Sequence, residues 1–139
     1  MRWGMLWCFM DSKELLVDFQ KALSQLQDAL CLPAQNNVIK AGCIQYFEFT
    51  FELAWKTIKR IAEGDGLPDC NSPKSAFKTA FANGWLEDEE VWLDMLTSRN
   101  KMSHTYSAEE ALDVFDKLPA YLLALQQLEE QFSKLATGS

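Results

Sequence analysis

Ile44-Gln45-Tyr46-Phe47-Glu48-Phe49-Thr50-Phe51-Glu52-Leu53-Ala54-Trp55-Lys56-Thr57-Ile58 lies near the middle of the chain and decides its architecture. Ile44, Phe47, Phe51, Ala54, Trp55 and Ile58, continued by Ile61 and Ala62, recur at spacings of three and four, which places them on one face of an α-helix. Tyr46, Phe49 and Leu53 make a second apolar patch on the opposite side. A helix that is apolar on two sides is sandwiched, with one face for its own bundle and the other for a partner or a second copy. Between the faces runs a polar stripe of Gln45, Glu48, Glu52, Lys56 and Lys59. Two readings of the stripe stay open. Glu52 and Lys56 form an i,i+4 pair on a solvated edge, worth ~0.3 kcal/mol, or a carboxylate of the stripe, Glu48 or Glu52, reaches out to restrain a charge elsewhere. The helix is expected from about Asn37 to Glu63, with Gly64 and Gly66 stopping it.

Downstream, a loop over residues 65–71 leads to Ser72-Pro73, a cap followed by proline at the first helical position. Ala76, Phe77, Ala80 and Phe81 form the inward side of the short helix that follows, closed by Asn83-Gly84. Another helix starts at about Asp88 and turns Val91, Trp92, Met95 and Leu96 inward. Upstream, Asp11 and Glu14 read as a capping pair opening the first helix, whose seam is Leu16, Phe19, Leu23, Leu26 and Leu30; Pro33 and the polar run after it end that helix. Leu118, Tyr121, Leu125, Leu128, Phe132 and Leu135 repeat the same spacing in the last helix, which Pro119 should bend slightly. The two similar seams are expected to lie side by side. With no strand alternation, internal repeat or glycine-rich phosphate loop, the chain is expected to be all-α: an antiparallel up-and-down four-helix bundle with one extra short helix, occupying residues 11–139.

The fourth helix runs into Arg99-Asn100-Lys101-Met102-Ser103-His104-Thr105-Tyr106, which holds the chain's single histidine. Histidine, with an ordinary pKa near ~6.5, moves protons around neutral pH, and arginine grips a phosphate with two hydrogen bonds. In an unbroken helix five residues at ~100° each would set Arg99 and His104 about 140° apart, too far to meet on one phosphate. Either the helix breaks after about Asn100, as a capping box of Ser107 and Glu110 suggests, or a second copy of the chain completes the pair. Arg99 also continues the apolar stripe of Trp92, Met95 and Leu96, and a charge leaning inward needs a partner or a wet cleft. For so short a pattern alone, the plainer reading carries more weight: His104 starts a helix and Arg99 pairs with a surface carboxylate.

The 139 residues suffice for one domain with one core, and 48% hydrophobic with 24% charged residues is ordinary for a soluble globular chain. A net charge of −7 argues against a broad basic nucleic-acid face, so an RNA contact must use a local patch. Two are present: Lys56, Lys59 and Arg60, and Arg99 with Lys101. Cys8, Cys31, Cys43 and Cys70 lack a C-x-x-C pair and have one histidine to join them, so reduced thiols in a cytoplasmic protein are expected rather than zinc; a Cys31–Cys43 disulfide stays open. Residues 1–10 are apolar but far short of a span of ~20 residues, and read as an arm or an extension, not an anchor or a signal.

Phe47-Glu48-Phe49-Thr50-Phe51-Glu52-Leu53-Ala54-Trp55-Lys56, then Ser72-Pro73, then Ser98-Arg99-Asn100 through Ser103-His104-Thr105-Tyr106, in this order and spacing, resemble the nucleotidyltransferase substrate-binding protein family of the HEPN superfamily. The likeness spans about residues 11–135 and outweighs the plainer reading of the motif. It implies a homodimer that partners a minimal nucleotidyltransferase encoded by a neighbouring gene. Many HEPN proteins are RNases that need neither metal nor cofactor and carry Arg, four to six residues, then His; Arg99 and His104 fit, with Asn100 at the polar position that commonly follows. In toxins of this kind the partner transfers AMP to a tyrosine two residues after the histidine, here Tyr106, silencing the RNase. The resemblance leaves two roles open. In one, Arg99 and His104 cleave RNA; in the other, Arg99, Asn100, Lys101 and His104 only hold a nucleotide or RNA for the transferase. A third reading is a plain helical adaptor dimerising through Tyr46, Phe49 and Leu53.

Overall fold

Every described element is helical. In the computed structural model, which describes residues 2–33, 36–67, 70–102, 109 and 112–137 and side chains within 13–136, α1 is Arg2–Leu30, α2 Asn37–Gly64, α3 Pro73–Ala82, α4 Glu89–Met102 and α5 Leu118–Thr137, with a 3-10 turn Asp113–Lys117 leading into α5. The long helices form an antiparallel up-and-down bundle: α1 packs on α2 and α5, α4 on α5, and the short α3 bridges α2 and α4.

The boundaries follow from local chemistry. Asn36 is extended and its side chain accepts the Ile39 N–H at 3.0 Å, capping α2. At the other end the Leu67 N–H reaches back to the Ala62 carbonyl at 2.9 Å, a turn closed through Gly66 at φ 76°. Ser72 and Ser75 form a reciprocal capping box with Pro73 in the first turn of α3. Gly84, at φ 77°, closes α3 and turns the chain so that Trp85 meets the Phe132 ring edge-on at 6.0 Å.

α2 supplies the centre of the core. Phe47, Phe51, Ala54, Ile58 and Ala62 are fully buried. An aromatic row runs through them: Tyr121 of α5 stacks on Phe47 at 5.2 Å, Phe51 meets Phe77 of α3 at 5.6 Å, and Phe77 meets Trp92 of α4 at 5.0 Å. Thr50 and Thr57, also buried in α2, satisfy their hydroxyls on the Tyr46 and Leu53 carbonyls. The α1 and α5 seams do lie together, fastened at their polar edge by Gln20 donating to Glu129 at 3.0 Å.

Several boundaries and faces differ from expectation. α1 does not begin at Asp11: residues 2–10 contain no proline and continue the helix backward, so the Asp11–Glu14 capping pattern sits inside it. Pro119 bends nothing, because α5 starts at Leu118 and proline occupies its first turn, where the missing N–H has no helical partner to lose. Phe81 and Leu135, expected inside, are 42% and 50% exposed; both sit in the last turns of their helices, beyond the packed interior. Leu53 packs partly against the core, while Tyr46 and Phe49 stay exposed. Cys31 and Cys43 are both free thiols, the latter directed at the Ala29 carbonyl at 3.6 Å.

The core assignment predicts that Phe47→Ala costs about 3–5 kcal/mol, whereas Leu123→Ala on the exposed side of α5 changes stability by less than ~0.5 kcal/mol. Urea midpoints of the two variants check the contrast; equal shifts would remove Phe47 from the core.

Candidate functional site

Arg99 lies in the last full turn of α4, and what holds it comes from α2. Its Nη2 is ion-paired with Glu52 Oε1, its guanidinium carbon lies 5.8 Å from the centre of the Phe51 ring, and its Nη1 donates to Asn100 Oδ1 at 3.2 Å. The other oxygen of Glu52 accepts from Trp55 Nε1 at 3.1 Å. One carboxylate therefore fixes a cation from a neighbouring helix and an indole from its own. Of the two readings of the polar stripe, the structure adopts the long-range one: Glu52 is committed to Arg99 and Trp55 rather than to Lys56. The side chains of Arg99 and Glu52 are 33% and 31% exposed, so solvent reaches the pair.

α4 continues as helix through Lys101 and Met102, so no break occurs at Asn100. His104 and Tyr106, and the proposed caps Ser107 and Glu110, lie outside the described residues. Asn100 and Lys101 are exposed beside Arg99. Glu48, one turn before Glu52, faces the same charges. Burial raises its carboxyl above the ordinary range, Arg99 opposes that rise and Glu52 adds to it. Among the described residues no three His, Cys, Asp or Glu side chains come together as metal ligands, and no helix is long and apolar enough to cross a membrane.

A feature that periodicity alone did not reveal anchors this turn of α4. Tyr121, counted as part of the apolar α5 seam, is 2% exposed, and its hydroxyl sits between Ser98 Oγ at 2.8 Å and the Asp94 carboxylate at 2.5 Å. Burial, with Asp94 accepting the proton, pushes the phenol well above its ordinary value against the opposing bond from Ser98. The phenol therefore stays protonated, donates to Asp94 and accepts from Ser98. Lys117 stands 3.6 Å from Asp94 on the outer side. Ser98 is buried and precedes Arg99, so this chain of bonds sets the rotation of α4 that aims Arg99 at α2. The available signal was two hydroxyls, Ser98 and Tyr121, on stripes otherwise apolar.

Glu48 supplies a pH test. Its raised folded-state pKa means that the folded chain binds this proton more tightly than the unfolded one, so the associated stability is present in acid and lost as pH rises through the raised value. Glu48→Gln keeps the neutral form throughout. The variant is expected to match wild type below the carboxylate range and to be modestly more stable at neutral pH, as thermal melts at the two pH values will read; a variant less stable at neutral pH contradicts the assignment.

Comparison with known proteins agrees with the all-helical fold. The family described as nucleotidyltransferase substrate binding protein like matches residues 14–134. A Haemophilus influenzae protein named probable ribonuclease HepT is 29% identical over 120 residues, covering 81% of this chain and 82% of that one. A solved protein of Thermus thermophilus superposes with a TM-score of 0.75 at 31% identity, over 84% of this chain and 99% of its own. A Haemophilus influenzae structure, reported to reveal the fold of a substrate binding domain of a nucleotidyltransferase, superposes with a TM-score of 0.65 at 27% identity, over 88% of this chain and 97% of its own. The chain belongs to the nucleotidyltransferase substrate-binding protein family.

Proposed function

We propose that this chain is a metal-independent endoribonuclease of the HEPN type, working as a homodimer and controlled by a minimal nucleotidyltransferase from a neighbouring gene. The observation that carries the reading is Arg99: a one-third exposed guanidinium held by Glu52 and Phe51, five residues before the chain's single histidine. The name of the Haemophilus influenzae relative, probable ribonuclease HepT, supports it. Exposed Tyr46 and Phe49 offer apolar surface for a second copy.

In this mechanism Arg99 binds the scissile phosphate and offsets the charge that grows on it in the transition state. His104 of one copy takes the proton from the ribose 2′-hydroxyl. The 2′-oxygen bonds to phosphorus, the bond from phosphorus to the 5′-oxygen breaks, and His104 of the second copy protonates that leaving oxygen. The products are a 2′,3′-cyclic phosphate and a 5′-hydroxyl. The nucleophile comes from the substrate. Asn100 and Lys101 flank the phosphate. Control acts at Tyr106: transfer of AMP from ATP to its hydroxyl, with release of pyrophosphate, places an anion beside Arg99 and blocks the phosphate site by size and charge.

A second reading, a non-catalytic subunit that holds substrate for the transferase, is favoured by the Haemophilus influenzae structure, reported as the fold of a substrate binding domain of a nucleotidyltransferase.

Purified protein incubated with RNA in chelator separates the two. Arg99→Ala and His104→Ala are each expected to lower cleavage by at least ~100-fold, with cyclic-phosphate ends in the wild-type products; equal rates for wild type and His104→Ala would assign cleavage elsewhere. Co-expression with the neighbouring transferase should add the mass of one AMP to wild type and none to Tyr106→Phe. An unmodified wild type, or the same adduct on both, would end the proposed control.

A further inference from the structure

The polar stripe of α2 changes sign at Trp55. Glu48 and Glu52 precede it, Lys56 and Lys59 follow, and Arg99 is pinned at the junction because Glu52 bonds both Arg99 and the indole N–H. In sequence the two basic clusters are some forty residues apart. In the fold Glu52 brings them together. Lys56 is exposed, Trp55 and Lys59 are half-buried, and from Glu52 to Lys59 the helix advances about 10 Å. Arg60, next along, is turned to Glu63 at 3.4 Å.

We propose that the stretch of α2 from Trp55 to Lys59 is a subsite for single-stranded RNA, along which the strand leaves Arg99 with a base against the Trp55 indole and its phosphates at Lys56 and Lys59. The direction follows from charge. A polyanion held at Arg99 is repelled by Glu48 on one side and attracted by the lysines on the other. The class of ligand follows from shape and chemistry: one indole between cations accepts an unpaired base, which exposes a π-face that a duplex stacks away. A chain with net charge −7 also has no broad basic face for a duplex.

The inference rests on Arg99 as a phosphate ligand, and the experiment separates the two. Binding of a fluorescent, non-cleavable 2′-O-methyl oligonucleotide is followed by anisotropy across a range of salt. Lys56→Gln/Lys59→Gln is expected to bind about tenfold more weakly, with a log Kd against log salt slope shallower by about 1.4, the value for two lost phosphate contacts on a single strand. Trp55→Phe should keep most of the affinity and Trp55→Leu lose about fivefold or more. Lys74→Gln/Lys78→Gln on α3 should bind as wild type, and melting curves report folding for each variant. If the α2 lysine variant binds as wild type at every salt while Arg99→Gln weakens binding, the subsite is overturned and the role of Arg99 stands. Equal affinity with Phe and Leu at 55 removes the stacking contact. If Arg99→Gln binds as wild type, or the wild type binds no oligonucleotide, the reading of Arg99 falls and the subsite with it.

Discussion

A guanidinium held between an aromatic ring and a carboxylate of a single helix is the constraint on which this structure turns. Phe51 and Glu52 are adjacent in sequence and sit where the apolar and polar faces of α2 meet. Phe51 is fully buried, Glu52 reaches solvent, and Arg99 lies across both. A cation extending the inward stripe of α4 would be costly to bury alone, by several kcal/mol. At this seam it gains a charge partner and a ring face while keeping water on one side. The last turn of α4 is therefore joined to α2 at Arg99.

That seam is only as well placed as the core beneath it. The aromatic row from Tyr121 through Phe47, Phe51 and Phe77 to Trp92 ties α5, α2, α3 and α4 to one another, and Phe51 is both a member of the row and the floor under Arg99. Tyr121 fixes the same geometry from the other side, because its ring belongs to the row and its hydroxyl holds Ser98, the residue before Arg99. Packing and polar bonding thus converge on one turn of α4. A shift of that turn would disturb buried rings and a buried hydroxyl together, so the aim of Arg99 depends on the core as well as on Glu52.

What could be read from the sequence was what periodicity and caps encode. The faces of α2 and α4, the start of α3 at Ser72-Pro73, the stop at Gly66 and the pairing of α1 with α5 each rest on spacing or on a residue type that only one backbone geometry favours, and each is present. Readings of single residues without such redundancy went astray. Asp11 has a capping residue's chemistry but no helix end to cap, and Pro119 reads as a bend until the 3-10 turn before it shows that α5 starts there. Phe81 and Leu135 have the right spacing but lie past the ends of what they would pack against. The Glu52–Arg99 pair could be named as one of two options because buried charge demands a partner. The Ser98–Tyr121–Asp94 chain could not, since periodicity registers a tyrosine as apolar and says nothing of its hydroxyl.

The pairing that restrains Arg99 also bears on how the residue exchanges partners. Both side chains are about one-third exposed, so the attraction is screened and its net worth is on the scale of ~1 kcal/mol or less. Under the proposed function, a phosphate offers more than one anionic oxygen in the geometry that suits two guanidinium N–H groups, a stronger and more directional bond than the carboxylate makes through Oε1. In that proposal Arg99 exchanges toward phosphate while Glu52 remains bonded to Trp55. Before a ligand arrives, the carboxylate keeps a flexible side chain in one region of space, which lowers the ordering entropy to be lost on binding. Glu48 adds a nearby negative charge that Arg99 partly stabilises. The site is therefore a cation held by a local anion at the edge of a rigid aromatic core, which fits the phosphate-binding role proposed for it.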